Sequence, residues 1–218
     1  CLLGLTATPK NTIHQSTYEF FDMKNNMPTD VYEYNEAVYQ DHVLVPYHLI
    51  ETSTKITDDG LTYEKLDEEE REQYEDEFCE DDGLVDHIPP EKINTYIFNR
   101  DTVDIMISDL MNHGIKHKNG NHVGKTIIFA QNKRHAKYII ERFDVLYPQY
   151  KGAFCKLVVC DEPYAEKNLE DFKKPDEYPF ITVTVDMLET GVDVPEITNL
   201  VFAKKVYSRI KFEQMIGR

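Results

Sequence analysis

The chain has 218 residues and a formal net charge of −16; 41% of its residues are hydrophobic and 29% are charged. This size and balance predict a globular protein with one large or two modest domains, and no apolar run reaches the roughly 18 to 20 residues that a membrane-spanning helix needs. The negative charge by itself argues against nucleic-acid binding, because contacts with phosphates depend on Lys and Arg.

The start of the chain and its cysteines bear on its origin. The first four residues, CLLG, include no initiator Met, basic n-region or small-residue cleavage site, so we interpret the chain as a piece of a longer one. The four cysteines form no C-x-x-C pair, and Cys155 and Cys160 flank an apolar stretch. This pattern favours reduced structural thiols over disulfides or zinc, and we predict no metal site. Reduced thiols are typical of the cytoplasm, the predicted location.

The N-terminal part reads as the end of one domain. Residues 2–9 predict a buried strand that stops at a Thr-rich turn, where Thr6 and Thr8 present their hydroxyls. Residues 43–52 predict a strand, and Pro46 within it indicates an edge strand or a bulge. We assign residues 1–42 to the remnant of a first domain.

The negative charge is concentrated in one block. Glu64 to Asp82 holds 12 acidic and 2 basic residues, a net charge of −10, so the other 199 residues carry only −6. Like charges without interleaved apolar residues repel each other and form no core, so a solvated, mobile or partly helical insertion is favoured over a metal site. Residues 43–88 are therefore predicted to be a connecting strand and an acidic insertion.

From residue 89 onward, helix and strand patterns alternate. Asn99 or Asp101 is suited to cap an amphipathic helix that Gly114 ends, and Asn132 is suited to cap a second one that ends before Pro148. The remaining predicted elements are strands at 126–130, 154–161 and 179–185 and a helix that begins at Glu162-Pro163. This alternation predicts an α/β domain over residues 89–218, with a parallel sheet joined by right-handed helical crossovers.

One segment imitates a phosphate-binding loop. Gly120 to Thr126, GNHVGKT, has three residues between its glycines where the motif needs four, and it opens a strand rather than a helix. We therefore predict that it does not bind the nucleotide. The nearby His113, His117 and His122 have irregular spacing, which favours a solvent loop over a metal site.

The last stretch, residues 180–218, places polar groups at strand ends. An apolar, β-branched strand breaks into a turn that carries Asp186, Gly191 and Asp193, and the chain closes on a second strand and a short amphipathic segment. Open α/β sheets bind their ligands at the carboxyl ends of their strands. The stretch therefore predicts a phosphate-handling edge.

These segments together resemble a known family. The order and spacing of superfamily 2 helicase motifs are matched by GLTATP at 4–9, TIIFAQN at 126–132, TVTVDMLETGVDVP at 182–195 and FEQMIGR at 212–218. A closer resemblance, to the R (HsdR) subunit of type I restriction enzymes, is carried by LVPYHLIET at 44–52, FNRDTVDIMISDLM at 98–111 and DEPYA at 161–165. The general superfamily usually has a His-Gly turn where this chain has Asp161-Glu162. The resemblance implies a RecA-like second motor domain, preceded by the remnant of a first RecA-like domain.

The resemblance also implies a nucleotide site shared between two motor domains. Such motors hold ATP and Mg²⁺ in a cleft and stabilise the developing charge with Arg from the facing domain. The matching cleft positions are Gly191, Asp193, Gln214 and Arg218. Gln214 and Arg218 would reach the γ-phosphate as the catalytic pair, and Thr6 and Thr8 would couple the nucleotide state to the domain interface.

A second set of matching positions implies contacts with the backbone of double-stranded DNA. These positions are Ala130, Gln131, Asn132 and Thr184. Backbone N–H groups and hydroxyls bind phosphates without reading sequence, as suits a motor that moves along DNA. Asn132 has helix capping as an equally good interpretation. The implied protein partners are the modification and specificity subunits of the restriction complex.

Several parts of such a motor are missing from the sequence. It has no usable phosphate loop, no D-E-x-H magnesium block and no convincing E-x-K half of a nuclease site. We therefore predict that the isolated chain does not hydrolyse ATP or cut DNA. The alternatives are another superfamily 2 helicase, of the type III restriction or repair kind, and a non-catalytic module that uses its acidic block to dock a protein.

Overall fold

The computed structural model describes residues 11–12, 15–21, 23, 30–51, 61–62, 71, 87–88, 99–160, 162–185 and 194–216. The predicted site residues outside these ranges are Thr6, Thr8, Gly191, Asp193 and Arg218. The described residues fall into two compact units, one formed by those up to Glu51 together with 208–216, and one formed by those from 61 to 207. The domain bounds 1–42, 43–88 and 89–218 stay predictions.

The regular elements alternate along the second half of the chain. The helices are α1 (Thr17–Phe20), α2 (Tyr34–Tyr39), α3 (Arg100–His113), α4 (Lys133–Leu146), α5 (Ala165–Phe172) and α6 (Arg209–Ile216). The strands are β1 (Asn11–Thr12), β2 (Gln15–Ser16), β3 (Leu61–Thr62), β4 (His87–Ile88), β5 (Lys125–Ala130), β6 (Cys155–Leu157), β7 (Ile181–Thr184) and β8 (Ile197–Ala203).

The first unit contains little sheet. Strands β1 and β2 form an antiparallel pair, and α2 buries Ala37 and Val38. Residues 43–51 form no strand, which corrects the strand predicted at 43–52. Pro46 has no N–H group to give to a neighbouring strand, and the side chain of Val45 is 83% exposed. An apolar sequence pattern here is therefore not matched by burial.

The second unit is built on a four-stranded parallel sheet. The strand order is β6-β7-β5-β8, and every neighbouring pair is parallel. All six residues of β5 and all four of β7 are buried, as in sheets that helices cover on both faces. The predicted parallel sheet is confirmed. A separate antiparallel pair, β3 and β4, also belongs to this unit.

Two helices start and end where the sequence predicts. The Asn99 side chain accepts a hydrogen bond of 2.8 Å from the Thr102 N–H, and so caps α3. The Gly114 N–H donates to the Leu110 carbonyl at the end of α3, at 2.9 Å. Asn132 caps α4 in the same way, because its side chain accepts from the His135 N–H at 2.8 Å.

The start of the next helix differs from the prediction. Tyr164 has a φ of +67°, in the left-handed region, so the α5 helix begins at Ala165 rather than at Glu162-Pro163. Glu162 therefore lies in the loop between β6 and α5.

The main core lies where α3 and α4 cover one face of the sheet. Ile128 of β5 and Val183 of β7 are buried in it, together with Ile107 of α3 and Ile139 of α4. A partly buried ion pair joins the two helices, since Arg142 Nε and Nη2 donate to the two carboxylate oxygens of Asp104 at 2.8 and 2.6 Å. This packing fixes α4 against the sheet.

Lys125 opens β5 and is almost fully buried. Its Nζ donates to the carbonyl oxygens of Glu177 and Pro179, both at 2.8 Å, and lies 4.7 Å from the centre of the Phe180 ring. Burial lowers the pKa of Lys125 to about 8. The amine therefore ties β5 to the segment before β7, a structural role in keeping with the rejection of GNHVGKT as a nucleotide loop.

The histidine-containing loop after α3 packs more closely than predicted. The rings of His117 and His122 stack with their centres 5.0 Å apart, and the His122 ring centre lies 4.1 Å from that of Phe180. His117 Nε2 lies 3.0 Å from an oxygen of Asp176. The predicted solvent loop is corrected in this respect, because aromatic contacts draw both rings onto the sheet. In the described part of the chain, no three His, Cys, Asp or Glu side chains are grouped to hold a metal ion.

His135, in the first turn of α4, is fully buried. Its Nδ1 accepts a hydrogen bond from the Gln131 N–H at 3.3 Å, which requires this nitrogen to be unprotonated. Burial lowers the pKa of His135 from 6.5 to about 4. The neutral ring is thus the form that holds Gln131 beside the start of α4.

The lowered pKa of His135 predicts a loss of stability in mild acid. Because the unfolded chain takes up the proton at a higher pH than the folded chain, the contribution of His135 is complete above pH 6.5 and is lost as the pH falls towards 4. A difference of one between the folded and unfolded pKa values corresponds to about 1.4 kcal/mol, so we expect a loss of about 3 kcal/mol over this range. The measurement is urea unfolding of the wild type and of His135→Gln between pH 7 and pH 4.

In that measurement the stability of His135→Gln should fall less steeply with pH than that of the wild type. His113→Gln, which changes an exposed histidine at the end of α3, is the matched control and should follow the wild type. Parallel curves for the wild type and His135→Gln would contradict the assignment.

Candidate functional site

The carboxyl ends of the four parallel strands define one edge of the sheet. They end at Leu157, Thr184, Ala130 and Ala203, in the spatial order of the strands. The loops that follow these residues meet at the same edge, which is where open α/β sheets bind ligands. Four of the predicted site residues, Ala130, Gln131, Asn132 and Thr184, stand at or next to this edge.

The start of α4 projects polar groups at this edge. Gln131 is exposed and Asn132 is half-buried, and both precede the first turn of the helix. The first N–H groups of a helix have no partner within the helix, and the helix dipole is positive there, so this end attracts anions. The Asn132 side chain caps the helix through its oxygen, so the capping interpretation of this residue is confirmed.

Two predicted residues at the edge are buried. Ala130 is part of the core, and the Thr184 side chain has no exposed area. Among the residues that the structure describes, the hydroxyls of Thr184 and Thr182 have no hydrogen-bond partner. A buried hydroxyl without a partner is costly, so Thr184 at the end of its strand is an unsatisfied polar group.

Three charged residues that the sequence did not single out as functional also meet at the edge. Lys133 Nζ and Lys137 Nζ, both on α4, lie 2.7 and 2.9 Å from the same oxygen of Glu162. These hydrogen bonds lower the pKa of Glu162, and the bond from Lys133 is the larger cause. In the sequence, the lysine pair could have been recognised from its i, i+4 spacing, which places both side chains on one face of the helix.

The last edge contact involves the end of β8. Lys204 Nζ donates to the Val185 carbonyl at 2.9 Å, so the residue after β8 is fastened to the residue after β7. Both residues directly follow their strands. This bond therefore links the segments that leave β7 and β8 across the end of β5, which lies between these two strands.

The predicted nucleotide residues are mostly outside the described part of the chain. Gly191, Asp193 and Arg218 are among these, and so are Thr6 and Thr8. Gln214 lies on α6 and is half-buried. Their assignment to a cleft stays a prediction.

Comparison with known proteins bears on the whole chain. Residues 103–218 match the family described as "Helicase conserved C-terminal domain". The chain is 31% identical to the type I restriction enzyme EcoKI endonuclease subunit of Escherichia coli K12, over 99% of this chain and 18% of that protein. It is 26% identical to the EcoAI endonuclease subunit of Escherichia coli, over 99% of this chain and 25% of that protein. The chain thus spans a quarter or less of the length of these relatives.

Two solved structures also show similarity. One is a fragment assigned to the HsdR subunit of a type I restriction enzyme from Vibrio vulnificus, with 26% identity and a TM-score of 0.48 over 55% of this chain and 23% of that one. The other is the Hef helicase domain of Pyrococcus furiosus, with 24% identity and a TM-score of 0.38 over 55% and 22%.

The fold and the family agree. The parallel sheet with helices on its faces is the RecA-like α/β arrangement predicted from the sequence, and that prediction is confirmed. None of the helices in the described ranges has the length and apolar character needed to cross a bilayer. The chain belongs to the family of helicase conserved C-terminal domains, and nearly all of it is similar to the endonuclease (HsdR) subunits of type I restriction enzymes.

Proposed function

We propose that the chain is part of the ATP-dependent DNA translocase motor of a type I restriction endonuclease subunit. The observation that carries the proposal is the helicase family match over residues 103–218, combined with similarity to two endonuclease subunits over 99% of the chain. In the intact protein this part would supply the second-domain face of the ATP cleft and contacts with the DNA backbone. Its setting would be the cytoplasm.

The nucleotide part of the proposal concerns the end of the chain. Gly191 and Asp193 would line the cleft near the sugar and the triphosphate, and Gln214 and Arg218 would reach the γ-phosphate. ATP hydrolysis depends on positioning and on charge stabilisation, for which a planar Arg that stays charged is suited. Thr6 and Thr8 would couple this cleft to the first domain, and ATP and Mg²⁺ would be the cofactors of the intact protein.

The DNA part of the proposal concerns the carboxyl edge of the sheet. The start of α4, with the exposed Gln131 and the capped Asn132, offers N–H groups to a phosphate. Ala130 and Thr184 stand at the ends of neighbouring strands; because both are buried, a direct contact with DNA requires the residues that cover them to move. Such contacts bind the backbone of any sequence.

The remaining partners follow from the proposed enzyme. The modification and specificity subunits would join the endonuclease subunit and select the DNA site. The motor would then need only sequence-independent contacts, which is what helix N-termini, lysines and hydroxyls provide. The full activity would be that of an ATP-dependent type I site-specific deoxyribonuclease.

Arg218→Ala in the intact protein tests the cleft. We expect DNA-stimulated ATP hydrolysis to fall by about 10³-fold, because an arginine that stabilises the transition state of phosphoryl transfer contributes about that factor or more in GTPases. Steady-state phosphate release with saturating duplex DNA is the measurement. Arg100→Ala, which removes a half-exposed arginine from the start of α3, is the matched control and should keep the wild-type rate. An unchanged rate in Arg218→Ala would remove the cleft assignment.

Thr184→Val in the intact protein tests the strand end. The change removes a buried hydroxyl without a partner among the described residues, so the free energy of unfolding should stay equal or rise by about 1 kcal/mol. If the hydroxyl contacts a phosphate when DNA binds, the affinity for duplex DNA should fall about tenfold. Fluorescence anisotropy and thermal unfolding measure the two effects.

Thr182→Val provides the matched control for that experiment. Thr182 is two residues earlier on the same face of β7 and is also buried without a hydroxyl partner in the described part of the chain. It should show the same effect on stability and no effect on DNA affinity. Equal DNA affinities for the two variants and the wild type would exclude Thr184 from the DNA contact.

A further inference from the structure

Two lysines of α4 share one carboxylate oxygen. Lys133 and Lys137 are four residues apart, so they lie on one face of the helix, and both ammonium groups are within 2.9 Å of Glu162 Oε1. Glu162 belongs to the loop after β6, so the contact joins two different strand ends of the sheet edge. The carboxylate is therefore held at the edge by residues that are remote from it in sequence.

The accessibility of the three side chains is unequal. The lysine side chains are 44% and 49% exposed, whereas that of Glu162 is 17% exposed. An incoming anion can thus reach the ammonium groups from solvent. The first turn of α4 contains no acidic residue, so Glu162 is the carboxylate that offsets these lysines among the described residues.

The geometry resembles that of a phosphate held by two lysines. A phosphodiester carries one negative charge and offers anionic oxygens as acceptors, which is what Glu162 presents to the two ammonium groups. The nearby start of α4 also favours an anion. Because the lysines are about half exposed, an anion that brings its own charge can reach them and offset the loss of their ion pairs with Glu162.

We propose that Glu162 occupies the place of a DNA phosphate between Lys133 and Lys137, and that a phosphodiester of the DNA backbone displaces it when DNA binds. The inference rests on the proposed function, namely that the carboxyl edge faces DNA. It adds two lysines as phosphate ligands and one glutamate that competes with DNA for them. Glu162 then keeps binding weak enough for the contact to be broken and remade.

Glu162→Gln in the intact protein tests the competition. Loss of the carboxylate leaves both lysines available, so the Kd for duplex DNA should fall about threefold to tenfold at 50 mM salt. The measurement is fluorescence anisotropy of a labelled duplex without a recognition site, over a series of NaCl concentrations. A stabilising ion pair without a role in DNA binding would instead lower the thermal stability of Glu162→Gln and leave the Kd unchanged, and that result would overturn the proposal.

Glu170→Gln is the matched control for charge. Glu170 is an exposed residue of α5 whose carboxylate lies 2.7 Å from Lys173, so the variant makes the same change in net charge away from the lysine pair. Its Kd should equal that of the wild type. An equal gain of affinity in both variants would mean that total charge alone is responsible, which would contradict the proposal.

The double variant Lys133→Ala/Lys137→Ala tests whether these lysines bind a DNA phosphate, separately from the proposal that the edge faces DNA. If both lysines bind the same phosphate, the affinity falls and the slope of log K against log salt becomes shallower by about 0.9, the contribution of one phosphate contact. Unchanged binding in this variant would show that these lysines are not phosphate ligands and would overturn the inference, while the Thr184 experiment tests the edge independently.

A different set of results is expected if the lysines bind DNA but Glu162 does not compete with DNA for them. In that case the lysine double variant binds DNA more weakly, but Glu162→Gln binds as the wild type does or more weakly. Adding Glu162→Gln to the lysine double variant should raise the affinity less than it does in the wild type, because no lysine is released and only the repulsion between Glu162 and the phosphate is removed. An equal gain of affinity in the two backgrounds would contradict the proposed competition.

Discussion

The position of β5 between β7 and β8 is the constraint on which the second unit depends. Each residue of β5 from Thr126 to Phe129 faces a partner in both neighbouring strands, and all six residues of the strand are buried. A parallel strand begins at the same end of the sheet as the strand before it, so the chain must cross back between them; α4 makes this crossing between β5 and β6, and α5 makes it between β6 and β7. All strands therefore end at one edge, and the start of α4 is held there.

The distribution of charge decides whether an acidic chain of this kind can contact nucleic acid. The net charge is −16, yet ten of these negative charges come from the block between Glu64 and Asp82. At the edge of the sheet, two lysines and a helix N-terminus face one carboxylate. Binding to phosphates depends on charges within about a Debye length of 10 Å, so the local arrangement outweighs the total.

The buried polar groups of the second unit fall into two kinds, those with hydrogen-bond partners and those without. Lys125 is buried but satisfied by two carbonyl oxygens, and the neutral His135 accepts a hydrogen bond from the backbone next to the edge. These two residues stabilise the framework. The Thr184 hydroxyl, at the end of β7, has by contrast no hydrogen-bond partner among the described residues. Unsatisfied polar groups of this kind are common at functional sites.

Local sequence determined much of the second unit. Features that depend on neighbouring residues could be predicted from the sequence. These are the helix caps Asn99 and Asn132, the end of α3 at Gly114 and the alternation of strands with helices. The strand predicted at 43–52 was wrong in the described part, since an apolar pattern does not by itself provide a strand partner.

Other features were decided by tertiary structure alone. The ion pairs of Glu162 with Lys133 and Lys137 join two elements separated by a whole strand, and the burial of Thr184 depends on what packs over the end of β7. Such contacts arise only when the parallel register brings the strand ends together. The sequence by itself thus determined the elements, the family resemblance and the candidate edge, whereas the arrangement of charges at that edge depended on long-range packing, which local patterns do not encode.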